Sequence, residues 1–232
     1  DSAAFLPSLS RQATYALRVE QGASSVEQIT PTSFGVVRTI PVSSIPQFDP
    51  DRTPANGVQV TETGRLLYTA YTGGTQEEVK VYDFQAQTVV GQTENGVPAS
   101  ALAPSYSGNY AVVDAEERAI YDVGGNDVRR IGTVPGLRRS RFHWIETAGE
   151  GDRFATYDSG TIAIRRARDL SRVRQFTVDV SLDRLEYSPG TGHLWGTDEA
   201  AGRLYVLDIE SGSVLTSVPI VPTANPDASA YE

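Results

Sequence analysis

Three features of the sequence predict an all-β fold, a β-propeller of five four-stranded blades closed by the C-terminal strand. A glycine or its substitute precedes a β-rich run at Gly64, Gly108, Asp152 and Gly192, which are 44, 44 and 40 residues apart. Turn signals made of Gly, Asn, Asp and Ser interrupt short β-branched and aromatic runs at intervals of about 8–12 residues. Each repeat holds four such runs, and a four-stranded unit recurring at about 40–45 residues is the sequence signature of a propeller blade. Helical repeats of similar length do not fit runs of this composition.

The most regular unit, Gly192–Ile220, serves as the ruler. Its runs Leu194–Thr197, Arg203–Asp208 and Ser213–Ile220 are separated by the turns at Asp198–Gly202 and Glu210–Gly212, as antiparallel hairpins require. Against it, Asp1–Gln12 carries no periodicity and reads as a lead-in. The first repeat then shows Thr14–Glu20, Ser25–Thr30 and Val36–Val42, with no strand before Thr14. The segment Ser43–Asn56 has three prolines and no hydrophobic period, which marks it as the longest loop and a candidate contact region. The second repeat holds Val58–Thr63, Leu66–Tyr71, Glu78–Asp83 and Thr88–Thr93; the third, Ala99–Tyr106, Tyr110–Asp114, Ala119–Asp122 and Val128–Val134. The fourth runs through Arg141–Thr147, Phe154–Asp158, Ile162–Arg166 and Arg172–Val178, and the fifth adds Arg184–Ser188 to the ruler. After Ile220 the stretch Asp227–Glu232 resembles the start of another blade, so it is expected to supply the first blade's missing strand and close the ring without an exposed edge. The expected blades of this single domain are 13–42 with 226–232, 57–96, 97–137, 138–180 and 181–220.

Composition bounds the function classes. A net charge of −9 argues against nucleic acid as a partner, because that affinity rests on neutralising phosphates. Lys80 is the only lysine, whereas 12 of the 19 arginines fall between Arg118 and Arg174 and form one basic sector. A GC-rich coding bias is the plainer source of that sector, and an anion site the alternative. With no Cys there are no disulfides, thiolate nucleophiles or Cys-ligated metals. No apolar run reaches the length of a transmembrane helix or a signal-peptide core. The chain also lacks Met, which fits a processed mature protein or a trimmed one. The compartment stays open, with export to the periplasm, to a lipoprotein anchor or to the outside as the reading preferred.

The units Leu66–Gln92 (LLYTAYTGGTQEEVKVYDFQAQTVVGQ) and Leu204–Pro219 (LYVLDIESGSVLTSVP) resemble blades of the YVTN/WD40-like propellers, whose strands read roughly Y-V-x-N, G-x-V-x-V-I-D and T-G-x-V. The resemblance spans about Thr14–Tyr231. It implies the propeller architecture and a group made mostly of binding modules, with a minority of lactonases and cofactor-associated subunits. The chain departs from it in having five blades where many members have seven, and in lacking a Trp-Asp dipeptide. No catalytic residue is carried over.

Residues that keep the repeat read as structural. Asp114, Asp158 and Asp198 end second strands, while Asp83, Asp122 and Asp208 end third strands, where a carboxylate accepts backbone N–H groups across a tight turn. Tyr68, Tyr82, Tyr110, Tyr121 and Tyr205 read as packing between blades. Residues that break the repeat are the site candidates: Arg138, Arg139, Arg141 and His143 at the entry to blade four, Asp183 and Arg184 at blade five, Asp227 in the closing strand and Gln59 in blade two. Loops entering the inner strands of a propeller converge on one face, so these groups would form a mixed Arg/Asp/His rim suited to a small anion or an acidic peptide. A solvated ring of salt bridges is the alternative. In His143-Trp144, strand alternation would send one side chain to the channel and wedge the other between blades.

Enzyme motifs are missing: no G-x-S-x-G, H-E-x-x-H, G-x-x-x-x-G-K-[ST] or EF-hand spacing occurs. Asp49-Pro-Asp51 could contribute to a Ca²⁺ site, although flanking prolines favour a turn. The expected function is therefore a non-enzymatic binding or scaffold module, monomeric, without cofactor, whose partner is a protein or a small ligand. The alternative is a metal-dependent hydrolase or lactonase with Asp183 and Asp227 at the channel. A lectin with one sugar site per blade would need equivalent aromatic and Asn pairs in each repeat, and the repeats lack them.

Overall fold

The fold is described from a computed structural model, which covers residues 2–9, 14–20, 23–30, 33, 35–49, 57–61, 63–72, 75–93, 101–114, 118–134, 141–145 and 151–220. It is all-β. Five separate antiparallel meanders follow one another along the chain, each of four consecutive strands. They are β1–β4 (Ser2–Leu9, Thr14–Glu20, Ala23–Ile29, Val36–Pro41) and β5–β8 (Val58–Val60, Arg65–Thr72, Thr75–Asp83, Thr88–Gln92). The third is β9–β12 (Ala101–Pro104, Tyr110–Asp114, Arg118–Asp122, Arg129–Thr133) and the fourth β13–β16 (Phe142–Ile145, Arg153–Asp158, Thr161–Arg166, Arg172–Thr177). The last is β17–β20 (Arg184–Ser188, His193–Asp198, Arg203–Asp208, Val214–Pro219). The chain divides into two compact units, Asp1–Val134 with Ala167–Leu170, and Pro135–Arg166 with Ser171–Glu232. In the first, β5 neighbours β1 and β9; in the second, β13 neighbours β17. Within each unit, successive sheets thus stack through their first strands. Among the described residues no helix is long and apolar enough to cross a membrane.

One expectation is overturned. Ser2–Leu9 is no lead-in: it is β1, paired antiparallel with β2 from Ser2 opposite Val19 to Leu9 opposite Thr14. With β1 on one side and β3 on the other, β2 has no free edge for a C-terminal strand. Residues 221–232, to which the closing strand was assigned, lie outside the described residues. The hidden signal has a physical cause. Pro7, with no backbone N–H, falls inside a register shift between Phe5 and Leu9, and the shift breaks the period of two that would reveal a strand. A smaller correction concerns the ruler. Gly64, Gly108 and Gly192 adopt left-handed φ of 77°, 73° and 70°, and in blade four that conformation belongs to Gly151 (77°), not to Asp152.

Four of the six repeated aspartates, Asp83, Asp122, Asp198 and Asp208, accept backbone amides across their turns. Asp83 Oδ1 accepts the amides of Gln85 and Ala86, both at 2.8 Å; Asp208 Oδ1 those of Glu210 and Ser211, at 2.6 and 2.8 Å. Asp122 accepts from Gly124 at 3.2 Å, and Asp198 from Ala201 at 2.8 Å. The amides of Ser211 and then Glu210 hold the Asp208 carboxyl below the usual range, since each bond favours the ionised form. A second regularity is invisible in the sequence. In all five sheets the third and fourth strands pair through a register shift, at Gln28/Ile29, Val81/Tyr82, Ile120/Tyr121, Ile164/Arg165 and Val206/Leu207. Such bulges add twist to the outer edge and make it a poor template for another chain.

Side chains between sheets form the cores. Val26, Ile40, Val58, Leu66 and Tyr68 are buried together in the first unit, and Leu67, Val81, Leu102, Val113 and Tyr121 form a second cluster there. Ile145, Tyr157, Ile164, Leu185, Leu194 and Leu207 pack in the second unit. The first half of the Pro-rich segment belongs to a core. Val42, Ile45 and Phe48 are buried in it as a strap, each contributing about 1.5–3 kcal/mol by removal from water. The strap is fixed by Tyr68 Oη donating to the Pro46 carbonyl at 2.7 Å and by the Tyr71 amide donating to Gln47 O at 3.0 Å. Beneath it Lys80 Nζ lies 3.1 Å from Glu78 Oε1 and also donates to Gln47 Oε1. Residues 50–56 of the segment are outside the described residues.

Arginines join neighbouring blades at the turns that these aspartates close. Arg38 Nη1 donates to Phe84 O at 2.6 Å, Arg65 Nη1 to Val123 O and Gly125 O at 2.8 Å, and Arg174 Nη1 to the carbonyls of Ile209 and Glu210. Part of the arginine content is therefore architectural.

Candidate functional site

Four of the sequence candidates meet in the second unit, where β13 and β17 run side by side. Arg141 precedes β13 and is held on two sides: its guanidinium carbon sits 5.4 Å from the Tyr157 ring centroid, and Nη2 is 3.7 Å from Asp183 Oδ1. Asp183, just before β17, is committed twice, because its Oδ2 also accepts the Glu199 amide at 2.9 Å. Its own amide donates to Thr197 O at 2.7 Å, which fixes the loop against β18. Arg184 Nε reaches Glu199 Oε1 at 3.2 Å across the hairpin. One step along β13, His143 Nε2 is 2.7 Å from Glu186 Oε2, while Nδ1 is 2.9 Å from Trp144 O. Both ring nitrogens thus lie within hydrogen-bond distance of an oxygen.

Strand alternation separates His143 from Trp144 as expected. Trp144 is buried edge-on against Phe142 and Phe154, at centroid distances of 5.1 and 5.8 Å, and His143 stays half-buried on the other side. The other candidates do not join this group. Gln59 is half-buried on β5 of the first unit, opposite Leu67. Arg138, Arg139 and Asp227 are outside the described residues.

Sequence reasoning missed Glu186, Glu199 and Tyr157. A signal for one of them exists: Arg141 and Asp183 are 42 residues apart, and His143 and Glu186 are 43 apart. Opposite charges one repeat apart on first strands face each other when those strands are neighbours. Arg141 is the least exposed cation of the group, at 21 % of its side chain, whereas Arg184 and Glu199 are 66 and 61 % exposed. An exposed pair of that kind adds about 0–1 kcal/mol to stability, so it does little to hold the fold. Chemically the cluster offers a positioned guanidinium with carboxylates around it. Among the described residues no three His, Cys, Asp or Glu side chains converge as a metal site.

The comparisons with known proteins bear on the architecture. No family model matches the chain, and no curated protein does. A solved structure does: dihydro-heme d1 dehydrogenase NirN in complex with DHE, with a TM-score of 0.54 and 18% identity over 88% of this chain. Its fold is propeller-like, and this chain carries five four-stranded antiparallel sheets, stacked through their first strands within each unit. The architecture is a β-propeller. The chain spans 44% of the length of that neighbour, and at this identity the likeness is one of fold.

Proposed function

We infer that this propeller is a non-enzymatic binding or scaffold module that presents the face around the entries to its fourth and fifth blades to a protein or small-ligand partner. The observation that carries this reading is the fixed Arg141 guanidinium, pinned by Tyr157 and Asp183 at the head of two neighbouring strands. A guanidinium held in one orientation loses little freedom when it takes up a carboxylate or phosphate. His143 and Arg184 flank it, and Arg138, Arg139 and Asp227 are the further contact residues of the proposal. The likeness of Leu66–Gln92 and Leu204–Pro219 to YVTN/WD40-like blades supports it, since that group consists mostly of binding modules. An exported, monomeric protein completes the reading.

The test is affinity capture from the organism's own extract, followed by titration of the captured partner. Exchange of Arg139 and Arg141 for Ala is expected to weaken binding at least tenfold, the scale of a lost charge-assisted hydrogen bond. The Pro-rich segment is tested separately by shortening residues 50–56 alone, because Val42, Ile45 and Phe48 belong to the core. Unchanged affinity in the double Arg variant would overturn the assignment.

A further inference from the structure

Away from the Arg141 group, the fourth and fifth blades leave a cavity of about 250 Å³ between them. Ile145 and Ile164 of the fourth blade and Ile209 of the fifth give it aliphatic walls, and Arg153, Arg174 and Glu210 supply its charges. The strand register accounts for the arginines. Arg153 on β14 stands directly opposite Arg166 on β15, and Ile164, the next residue on that face, stands opposite Arg174 on β16. Like charges directly opposite each other in a sheet are unfavourable. Three guanidinium groups nonetheless share this face, in the middle of the basic sector of the sequence.

The cavity lining includes one carboxylate, that of Glu210. Glu210 Oε2 lies 2.8 Å from Arg174 Nη2, and the Glu210 side chain is 73 % exposed. Arg174 itself is fixed, because its Nη1 donates to the carbonyls of Ile209 and Glu210. The cleft thus sets cationic groups over aliphatic side chains, with an exposed carboxylate from the protein already on one guanidinium. The volume lies below the roughly 300–1,000 Å³ typical of drug-sized ligand pockets. A small molecule with a planar anionic head and a short apolar body meets all of these conditions, since the guanidinium fork matches a carboxylate.

We propose that this cleft binds a short aliphatic carboxylate, with its tail on Ile145, Ile164 and Ile209 and its head between Arg153 and Arg174 in place of the Glu210 carboxylate. Glu210 is then the site's built-in competitor. The proposal does not depend on the Arg141 face.

Calorimetric titration of the full chain with hexanoate, hexan-1-ol and inorganic phosphate tests it, with isoleucine methyl NMR to locate the binding. Hexanoate is expected to bind saturably and to shift the methyl signals of Ile145, Ile164 and Ile209. Hexan-1-ol lacks the charge and phosphate the apolar body, so each binds about tenfold more weakly or less. Arg153→Gln weakens hexanoate about tenfold, the scale of a lost bond to a charged group. Glu210→Gln, a change at an exposed side chain that leaves the fold intact, tightens it severalfold. The proposal is overturned if those methyl signals do not move, if phosphate matches hexanoate, or if Glu210→Gln leaves hexanoate affinity unchanged or lower.

Discussion

Replacing the chain's only lysine tests how the strap over the second blade is held. Lys80 and Glu78 project from the same face of β7, 3.1 Å apart, with side chains only 11 and 7 % exposed. On the surface such a pair would be worth about 0–1 kcal/mol. Here Lys80→Met leaves the Glu78 carboxylate in a core beside Tyr68 and Tyr82, with its counter-charge gone, and breaking a buried pair costs about 3–5 kcal/mol. With a urea m-value of about 3 kcal/mol/M, the midpoint of unfolding falls by about 1–1.7 M. Lys80→Met combined with Glu78→Leu removes both charges and is expected to recover most of the loss, because apolar replacement of a whole buried pair is close to neutral or stabilising. A double-mutant cycle from urea titrations gives the coupling. Hydrogen exchange adds a local readout: the Tyr71 amide, bonded to Gln47 O, should lose protection in Lys80→Met because Gln47 also accepts from Lys80. A single-variant cost below about 1 kcal/mol, or a double variant as unstable as the single, would refute the reasoning.

Other outcomes follow from the same cores. Burial, reinforced by Tyr82 and Glu78, pushes the Tyr68 phenol well above its ordinary value. The native state therefore keeps a proton that the unfolded chain releases above about pH 10, and stability falls as pH rises past that point. Melting curves from pH 8 to 11.5 should show a shallower alkaline decline for Tyr68→Phe, at a cost of about 1 kcal/mol at neutral pH for the lost bond to Pro46 O; parallel declines would disprove the link. At Gly212, φ is 74° and a Cβ would fall 2.3 Å from Phe176 Cγ. Gly212→Ala should cost about 2–5 kcal/mol, from left-handed strain plus overpacking. Gly192→Ala has φ of 70° but nothing within 4 Å of the added carbon, so about 1–2 kcal/mol is expected. Equal melting temperatures for the two variants would show that the Phe176 approach carries no weight.

Local chemistry made much of this protein legible. The strands Thr14–Glu20, Tyr110–Asp114, Arg184–Ser188 and Arg203–Asp208 fall where alternation and turn residues place them. Asp83, Asp122, Asp198 and Asp208 are turn acceptors for the same reason: a carboxylate two or three residues before an amide needs no distant partner. Where the alternation is broken, the sequence misleads, and Ser2–Leu9 was hidden by its register shift. The strap was hidden too, because Val42, Ile45 and Phe48 follow no strand or helix period and are ordered by the face they cover.

Of the candidate site, the sequence determined which residue types break the repeat at the entries to blades four and five: Arg141, His143, Asp183 and Arg184. Only the tertiary structure decided what they meet. Neighbouring first strands bring Asp183 to Arg141 and Glu186 to His143 across one full repeat, and the Tyr157 ring reaches Arg141 from the adjacent strand. The same holds for the arginines of the basic sector, which composition could only count. Pairing register put Arg153 opposite Arg166, and the stacking of blade on blade set Arg174 against the carbonyls of the next turn. Period and turn chemistry are properties of a few consecutive residues; the partner of a charge on a blade is fixed by how one sheet lies against the next.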